Sequence, residues 1–100
     1  MMDARAEIPE GFKRDVDQAV AMLRAAGCTE IFLFGSLADG RAADASDLDL
    51  AIRGCPRGSF FHLLGQLMLK LSHSVDLIDL DSADPFARYL EDHKELLRVG

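Results

Sequence analysis

The strongest constraint on the fold is an alternating segment near the middle of the chain, Asp-Leu-Asp-Leu-Ala-Ile-Arg at residues 47–53. Neighbouring side chains on a β-strand point to opposite faces, so this alternation predicts a strand with two different faces. One face carries Asp47 and Asp49, and the other carries the intervening leucines and isoleucine. We expect helices to cover the apolar face and to leave the carboxylate face open.

The rest of the chain predicts an α/β (α+β) fold with a small three-stranded mixed sheet and helices packed on one face. Apolar residues at helical spacing predict helices, and short β-type runs bounded by Gly, Ser or Pro predict strands. No linker or repeat divides the sequence, which predicts a single domain over residues 1–100. The predicted helices are 9–26, 59–71 and a last one that opens at 82–85 and reaches 97, and the predicted strands are 30–34, 47–53 and 74–80.

Composition narrows the class of protein. The net charge is -6, with 17 acidic and 11 basic residues, which argues against nucleic acid as a direct ligand. The apolar runs are too short to span a bilayer and the N-terminus does not resemble a signal peptide, so we expect a cytoplasmic protein without membrane contact. Cys28 and Cys55 have no metal-binding spacing, and we expect them to be reduced in that compartment.

The two carboxylates of the alternating strand suggest a metal site. Asp47 and Asp49 repel each other on one face, and a hard divalent cation with oxygen ligands compensates such charge. Two solvated side chains on an exposed strand are about as plausible from this pair alone. The dipeptide Gly35-Ser36, placed where the first strand ends, favours the metal site, because such a turn lets backbone N–H groups and a hydroxyl approach a phosphate. Alone, it is also a common turn.

Side chains an even number of positions apart on a strand share a face, and we call this shared face their parity. Parity adds a third carboxylate to the predicted site and constrains the directions of the strands. If the Gly-Ser turn and the two aspartates serve one ligand, the first two strands must be antiparallel neighbours. Asp76 lies opposite in parity to Val75 and Leu77, and it reaches the other carboxylates only if the third strand is parallel to the second. The helix between them then forms a right-handed crossover. Asp79 lies on the same face as Val75 and Leu77 and is expected to point away from the site or to lie at the fraying end of the strand, and Asp81 is expected to lie beyond the strand.

These segments carry a family resemblance. Phe34-Gly35-Ser36, residues 46–50 (Ser-Asp-Leu-Asp-Leu) and Val75-Asp76-Leu77 resemble the signature elements of the polymerase-beta-type nucleotidyltransferase superfamily. The chain is most similar to its minimal, single-domain bacterial members, the MNT domains.

The resemblance implies a set of residue roles. Asp47 and Asp49 would coordinate two Mg²⁺ ions, and Asp76 would ligate the catalytic metal or deprotonate the attacking hydroxyl. Ser36 and the backbone of Gly35 would hold the β- and γ-phosphates of a nucleoside triphosphate. Small members commonly have an arginine three residues after the motif serine, where this chain has Asp39. An acidic group there opposes triphosphate binding, and Arg41 is a candidate substitute.

The resemblance also implies a function. It predicts metal-dependent transfer of a nucleoside monophosphate, AMP from ATP, to a hydroxyl of a helical HEPN-domain toxin, so that this chain acts as the antitoxin. Ile78 and Leu80 share the parity of Asp76, and we expect them to flank the site where such a partner docks. The alternative is an inactive binding module that neutralises or scaffolds a helical partner, which Asp39 favours. Modification of a small molecule ranks third, because no acceptor pocket is evident.

Overall fold

The computed structural model describes residues 8, 10–35, 47–93 and 96–100. None of the helices in these ranges combines the length and the apolar character that crossing a membrane requires. The elements follow the chain in the order α1 (Glu10–Ala25), β1 (Glu30–Leu33), β2 (Leu48–Arg53), α2 (Phe60–Lys70), β3 (Val75–Asp79), α3 (Pro85–His93) and β4 (Leu97–Arg98).

The strands form one mixed sheet in the order β3-β2-β1-β4. Strand β1 is antiparallel to β2, and β2 is parallel to β3, so the predicted mixed sheet and its strand directions are confirmed. Helix α2 forms the crossover between the two parallel strands.

The sheet has a fourth strand, and the prediction of three was wrong. The last predicted helix reached residue 97, but α3 ends at His93, and Leu97–Arg98 pairs antiparallel with Phe32 and Leu33. Val99 is 6% exposed, belongs to the main core, and donates its N–H to the carbonyl of Ile31 at 2.8 Å. Burial of this β-branched side chain and the strand hydrogen bonds stabilise the extended end of the chain over a longer helix.

Helices α1 and α2 cover the apolar face of the sheet, as the alternation predicted. Helix α1 presents a stripe with helical spacing and ends before Gly27, whose φ of +106° suits glycine. The main core that these helices form with the sheet includes the buried residues Phe12, Val16, Ala19, Leu23, Ile31, Leu33, Leu48, Leu50, Ile52, Leu63, Leu67 and Leu77.

Helix α3 departs from the expectation that every helix packs on that face. Its buried residues Ala87 and Leu90 form a second cluster with Phe34, Ala51 and Leu80, and Ile78 packs against this cluster. Ala51 lies on the same face of β2 as Asp49, so α3 covers part of the face of the sheet that carries the aspartates. Ile78 and Leu80 were expected to flank the site where a partner docks, but Leu80 is buried in this cluster and is not available to a partner, while Ile78 is half-buried against it. Parity alone did not reveal which element buries them.

Cys28 and Cys55 form a disulfide, contrary to the expectation that both are reduced. Glu30 pairs with Arg53 at the end of the β1–β2 ladder. Extending that antiparallel register by two residues on each strand places the cysteines opposite each other, and their Cα atoms are 3.9 Å apart. The sequence-based prediction rested on the expected compartment and did not use the register.

Candidate active site

The three predicted carboxylates lie at one end of the β2–β3 pair. Asp49 is the Cα partner of Asp76 in the parallel register, and Asp47 immediately precedes β2. The N–H of Leu48 donates to the carbonyl of Ser74 at 2.7 Å, which aligns the starts of the two strands. Asp47 and Asp76 are exposed and Asp49 is half-buried. The sheet therefore places the carboxylates of Asp49 and Asp76 on adjacent strands, with Asp47 beside them.

Gly35 lies directly against Asp49. The preceding residue, Phe34, donates its N–H to the carbonyl of Asp49 at 3.1 Å, and Gly35 has a φ of +68°. A Cβ at Gly35 would lie 2.3 Å from Oδ2 of Asp49 and 3.3 Å from its Cγ. Both the backbone conformation and the close approach of the carboxylate therefore require glycine at this turn.

Among the described residues, the charges that shift the pKa of Asp49 are negative. Partial burial, followed by the charges of Asp76 and Asp47, raises the pKa of Asp49 to about 6. Burial and like charges both disfavour a second and third negative charge at one place. A ligand that brings positive charge to this end of the sheet would relieve that repulsion.

The donor set suits a hard cation such as Mg²⁺, because it consists of carboxylate oxygens. Within the described ranges, no group of three or more His, Cys, Asp or Glu side chains converges closely enough to hold a metal ion. The structure thus brings Asp47, Asp49 and Asp76 to one end of the sheet without placing their oxygens in a ligating arrangement. Ser36, Asp39 and Arg41 lie outside the described residues.

Asp79 and Asp81 lie away from this cluster and are engaged in local hydrogen bonds. Asp79 pairs with Ile52. This pair lies three positions further along the β2–β3 ladder than the pair of Asp76 with Asp49. Its Oδ1 accepts the N–H of Asp81 at 2.9 Å, and Oδ2 of Asp81 accepts the N–H of Gly54 at 2.7 Å. These carboxylates stabilise the turns at the far end of β2 and β3.

One buried carboxylate that the sequence analysis passed over anchors the segment that leads into β3. Asp15 is 3% exposed and accepts the backbone N–H groups of Ser72 and His73 at 3.0 and 2.9 Å and the Ser72 hydroxyl at 2.9 Å. The His73 Nδ1 lies 2.7 Å from the same carboxylate, and its ring stacks on Phe12 at 4.0 Å. The signal was an aspartate inside the apolar stripe of α1, between Phe12 and Val16.

Comparison with known protein families identifies the fold and its chemistry. The family model described as Polymerase beta, Nucleotidyltransferase matches residues 23–97, which include β1, β2 and β3 with Gly35 and the three carboxylates. The chain belongs to this nucleotidyltransferase family. The resemblance inferred from the three motifs is confirmed, and with it the assignment of the chain as a nucleotidyltransferase. A search of curated protein sequences finds no match.

Solved structures share the nucleotidyltransferase fold. A toxin–antitoxin structure with AMP-PNP is 24% identical with a TM-score of 0.66, over 85% of this chain and 72% of that chain. A minimal nucleotidyltransferase is 22% identical with a TM-score of 0.64, over 94% of this chain and 95% of that chain. A third structure, of a tri-AMPylated Shewanella oneidensis HEPN toxin in complex with MNT antitoxin, is 26% identical with a TM-score of 0.54, over 72% of this chain and 58% of that chain.

Proposed function

We propose that this nucleotidyltransferase transfers AMP from ATP to a hydroxyl group on a helical HEPN-domain toxin, and that it acts as the antitoxin. The observation that carries this proposal is the register that sets Asp49 opposite Asp76, with the backbone of Gly35 against the Asp49 carboxylate. Carboxylates beside a glycine turn bring a cation-binding surface next to a turn suited to phosphate.

Asp47, Asp49 and Asp76 are the residues that we assign to hold Mg²⁺. When bound, two such ions would screen the charges on the attacking and leaving oxygens of the phosphoryl group. The raised pKa of Asp49 supports this assignment, because a bound cation would favour the ionised carboxylate that its neighbours otherwise oppose.

Two further roles complete the proposed reaction. The acceptor oxygen forms a bond to the α-phosphorus while the bond from that phosphorus to pyrophosphate breaks. Asp76 is exposed and is the carboxylate that we assign to bind the catalytic metal or to take the hydroxyl proton. The Gly35 turn and Ser36 would hold the β- and γ-phosphates, a role for Ser36 that rests on the family motif.

The assignment of the acceptor rests on the solved structures. Two of the three solved structures described above are toxin–antitoxin structures, one with AMP-PNP and one with an AMPylated HEPN toxin. The AMPylated HEPN toxin and the bound AMP-PNP in those structures support a HEPN toxin as the acceptor and ATP as the donor for this chain. The carboxylate end of the sheet, with Asp47 and Asp76 exposed, is the surface to which we expect the toxin hydroxyl to be presented.

The decisive experiment incubates the protein with α-labelled ATP, Mg²⁺ and a HEPN-domain protein from the same genome. We expect label to appear on the partner and to be absent with Asp47→Asn combined with Asp49→Asn. Asp79→Asn is the matched control, because it makes the same chemical change on β3 at a position outside the cluster. Transfer that survives the double substitution would disprove the proposed site.

An inactive binding module is the competing function, and Asp39 in place of the usual arginine is the feature that favours it. The same experiment separates the two. A complex that forms equally well with the double Asp47/Asp49 variant, together with no labelling by the parent protein, would establish the binding module. Asp39→Arg would then be expected to restore labelling if the electrostatic cost at this position is the cause.

A further inference from the structure

Asp76 lies on the least supported strand of the carboxylate site. Strand β3 is at one edge of the described sheet, where its partner is β2, and Asp76 is only its second residue. Asp49 lies on β2, which has a neighbouring strand on each side. The first residues of an edge strand separate easily from the rest of a sheet. The position of Asp76 opposite Asp49 therefore depends on what holds the chain just before β3.

The chain before β3 is held by Asp15 of α1. Helix α2 ends at Lys70, and residues 71–74 connect it to β3. In this connection, the backbone N–H groups of Ser72 and His73 donate to the Asp15 carboxylate at 3.0 and 2.9 Å. The Ser72 hydroxyl and Nδ1 of His73 lie 2.9 and 2.7 Å from it. All four contacts are to one oxygen, Oδ2, so a single side chain fixes both residues.

The next residue links this anchor to the start of β2. The carbonyl of Ser74 accepts the N–H of Leu48 at 2.7 Å, and Leu48 lies between Asp47 and Asp49 in the sequence. A continuous path of covalent and hydrogen bonds thus runs from α1 through residues 72–74 to the aspartates of β2. The same path holds the beginning of β3 beside them.

The surroundings of Asp15 make it a rigid anchor. Its side chain is buried between Phe12 and Val16 on α1, which are 1% and 0% exposed. The ring of His73 stacks on Phe12 with 4.0 Å between the ring centroids. Hydrogen bonds to an ionised group are stronger than neutral ones, and a buried setting strengthens them further. The connection to β3 is therefore fixed to a helix that belongs to the main core.

We propose that Asp15 is a positioning residue for the transfer reaction. By holding Ser72 and His73, it keeps Asp76 opposite Asp49, so that both carboxylates can serve one cation. The inference rests on the proposed function, because it takes these aspartates as the residues that hold Mg²⁺. Asp15 itself touches neither the cation nor the substrate, since it lies on a helix that covers the opposite face of the sheet.

Cation binding should be sensitive to this anchor. Among the described side chains, Asp47, Asp49 and Asp76 do not converge closely enough to hold an ion, so their carboxylates must turn toward a cation as it binds. Rotation of a side chain does not compensate for a displaced backbone, and a shift of about 1 Å in such a site is costly. Loss of Asp15 should therefore weaken cation binding even while the protein stays folded.

The first test measures binding of Mn²⁺ to the purified protein by electron paramagnetic resonance, which needs neither nucleotide nor partner. Asp15→Asn keeps the shape of the side chain and removes its charge. We expect it to raise the dissociation constant by roughly ten-fold, as the loss of a group that orients metal ligands commonly does. Asp15→Ala should raise it further, and Ser72→Ala, which removes only the hydroxyl donor, should raise it less. Circular dichroism checks that each variant is folded.

Leu23→Ala is the matched control. Leu23 is 0% exposed and lies eight residues beyond Asp15 on the same helix. Its truncation leaves a cavity in the core and should lower the melting temperature to an extent similar to Asp15→Ala. It takes no part in the hydrogen bonds that hold residues 72 and 73, so the affinity for Mn²⁺ should be unchanged. The control separates loss of position from loss of stability.

The second test follows label transfer over a series of Mg²⁺ concentrations. Asp15→Asn should need more Mg²⁺ than the parent protein for half-maximal transfer, and should recover most of the parent rate at saturation, because its ligands are present but poorly placed. Asp49→Asn should not recover at any concentration, because it has lost a ligand. This difference distinguishes a positioning residue from a residue that binds the cation.

Two kinds of result would overturn the inference, and they are distinguishable. If Asp49→Asn weakens Mn²⁺ binding while Asp15→Asn and Ser72→Ala do not, or if Leu23→Ala weakens it as much as Asp15→Ala, Asp15 has no positioning role and the proposed function stands. If Asp49→Asn leaves Mn²⁺ binding unchanged, the assignment of the metal site is wrong and this inference fails with it. Should both Asp15 variants fail to fold, the rise expected for Ser72→Ala decides.

Discussion

Asp15 is buried and Asp49 is half-buried, and their surroundings shift their pKa values in opposite directions. Burial disfavours the ionised form of Asp15, but the hydrogen bonds from His73 and Ser72 outweigh it and lower the pKa. At Asp49, burial acts in the same direction as the charges of Asp76 and Asp47, and together they raise the pKa to about 6.

The difference separates a carboxylate whose charge is stabilised by hydrogen bonds within the fold from one whose charge is opposed by its neighbours. Asp15 receives four donors, two backbone N–H groups, a hydroxyl and an imidazole nitrogen, all from Ser72 and His73. An ionised carboxylate only accepts, so Nδ1 of His73 carries the proton in this contact. Asp49 has two carboxylates as its charged neighbours. A carboxylate whose described charged neighbours are all of the same sign is typical of functional sites.

The largest expected effect is on stability at Asp15. Asp15→Ala leaves several donors without a partner at a buried position, and we expect the free energy of unfolding to fall by about 3 kcal/mol. Chemical denaturation measures the change. Asp92→Ala removes the same group from an exposed position of α3 and should leave the denaturation midpoint unaltered. Equal effects of the two substitutions would contradict the role of Asp15 as an anchor.

At Gly35 we expect a smaller loss of stability, combined with a loss of transfer. Gly35→Ala must adopt the φ of +68° and displace the Asp49 carboxylate, for a total cost of about 2 kcal/mol. Combining it with Asp49→Ala removes the colliding oxygen and leaves the backbone strain. The double variant should therefore be more stable than the sum of the two single effects predicts. Simple additivity would mean that Gly35 and Asp49 are not in contact.

Substitution of Asp49 should raise the free energy of unfolding, whereas substitution of Asp15 should lower it. Asp49→Asn relieves the repulsion with Asp76 and Asp47, and we expect it to stabilise the metal-free protein by about 1 kcal/mol at neutral pH, a modest gain because solvent screens a half-exposed group. Transfer activity should be lost. Such a gain in stability at the expense of activity is expected of a strained site. A destabilised Asp49→Asn variant would show that this carboxylate supports the fold.

The dependence of stability on pH should reflect the protonation of both Asp49 and Asp15. In the presence of a chelator, Asp49 takes up a proton in the folded state at about pH 6, above its unfolded pKa near 3.8, so its contribution to stability increases as the pH falls through this window. Asp15 has a lowered pKa, so its contribution is complete above about pH 4 and is lost at lower pH. Melting temperatures measured from pH 8 to 3 should therefore rise and then fall, and Asp49→Asn should abolish the rise.

Much of the fold could be predicted because alternation determines which face each strand residue occupies. The parity of residues 47–53 and of Val75-Asp76-Leu77 correctly predicted the antiparallel and parallel pairings and the juxtaposition of Asp49 with Asp76. The two-residue strand β4 carries too short a pattern to detect. The position of α3 over Ala51 and Leu80 depends on which apolar surfaces remain after α1 and α2 have packed, and local sequence does not contain that information.

For the candidate site, the sequence indicated residue types and spacing but not contacts. Gly35 was predicted for its approach to phosphate, which stays a prediction, whereas the structure shows that the nearby carboxylate of Asp49 leaves no room for a side chain there. Asp15 acts on residues 57 and 58 positions away in the chain, a distance over which spacing has no predictive value. The phosphate-binding role of Ser36 and the metal-binding roles of the aspartates stay predictions.

The smallest expected effect distinguishes two aspartates on one strand. Asp79→Asn retains Oδ1 as the acceptor for the N–H of Asp81, so stability should stay within about 0.5 kcal/mol of the parent protein. The rise in melting temperature on adding Mg²⁺ should also be preserved, whereas Asp76→Asn should reduce it, because only Asp76 pairs with Asp49. The reverse outcome, a response lost with Asp79→Asn and kept with Asp76→Asn, would place the cation on the other face of β3. Since Asp79 and Asp76 differ in face but not in chemistry, this pair tests whether the face of the sheet, and not the number of carboxylates on the strand, determines which aspartate binds metal.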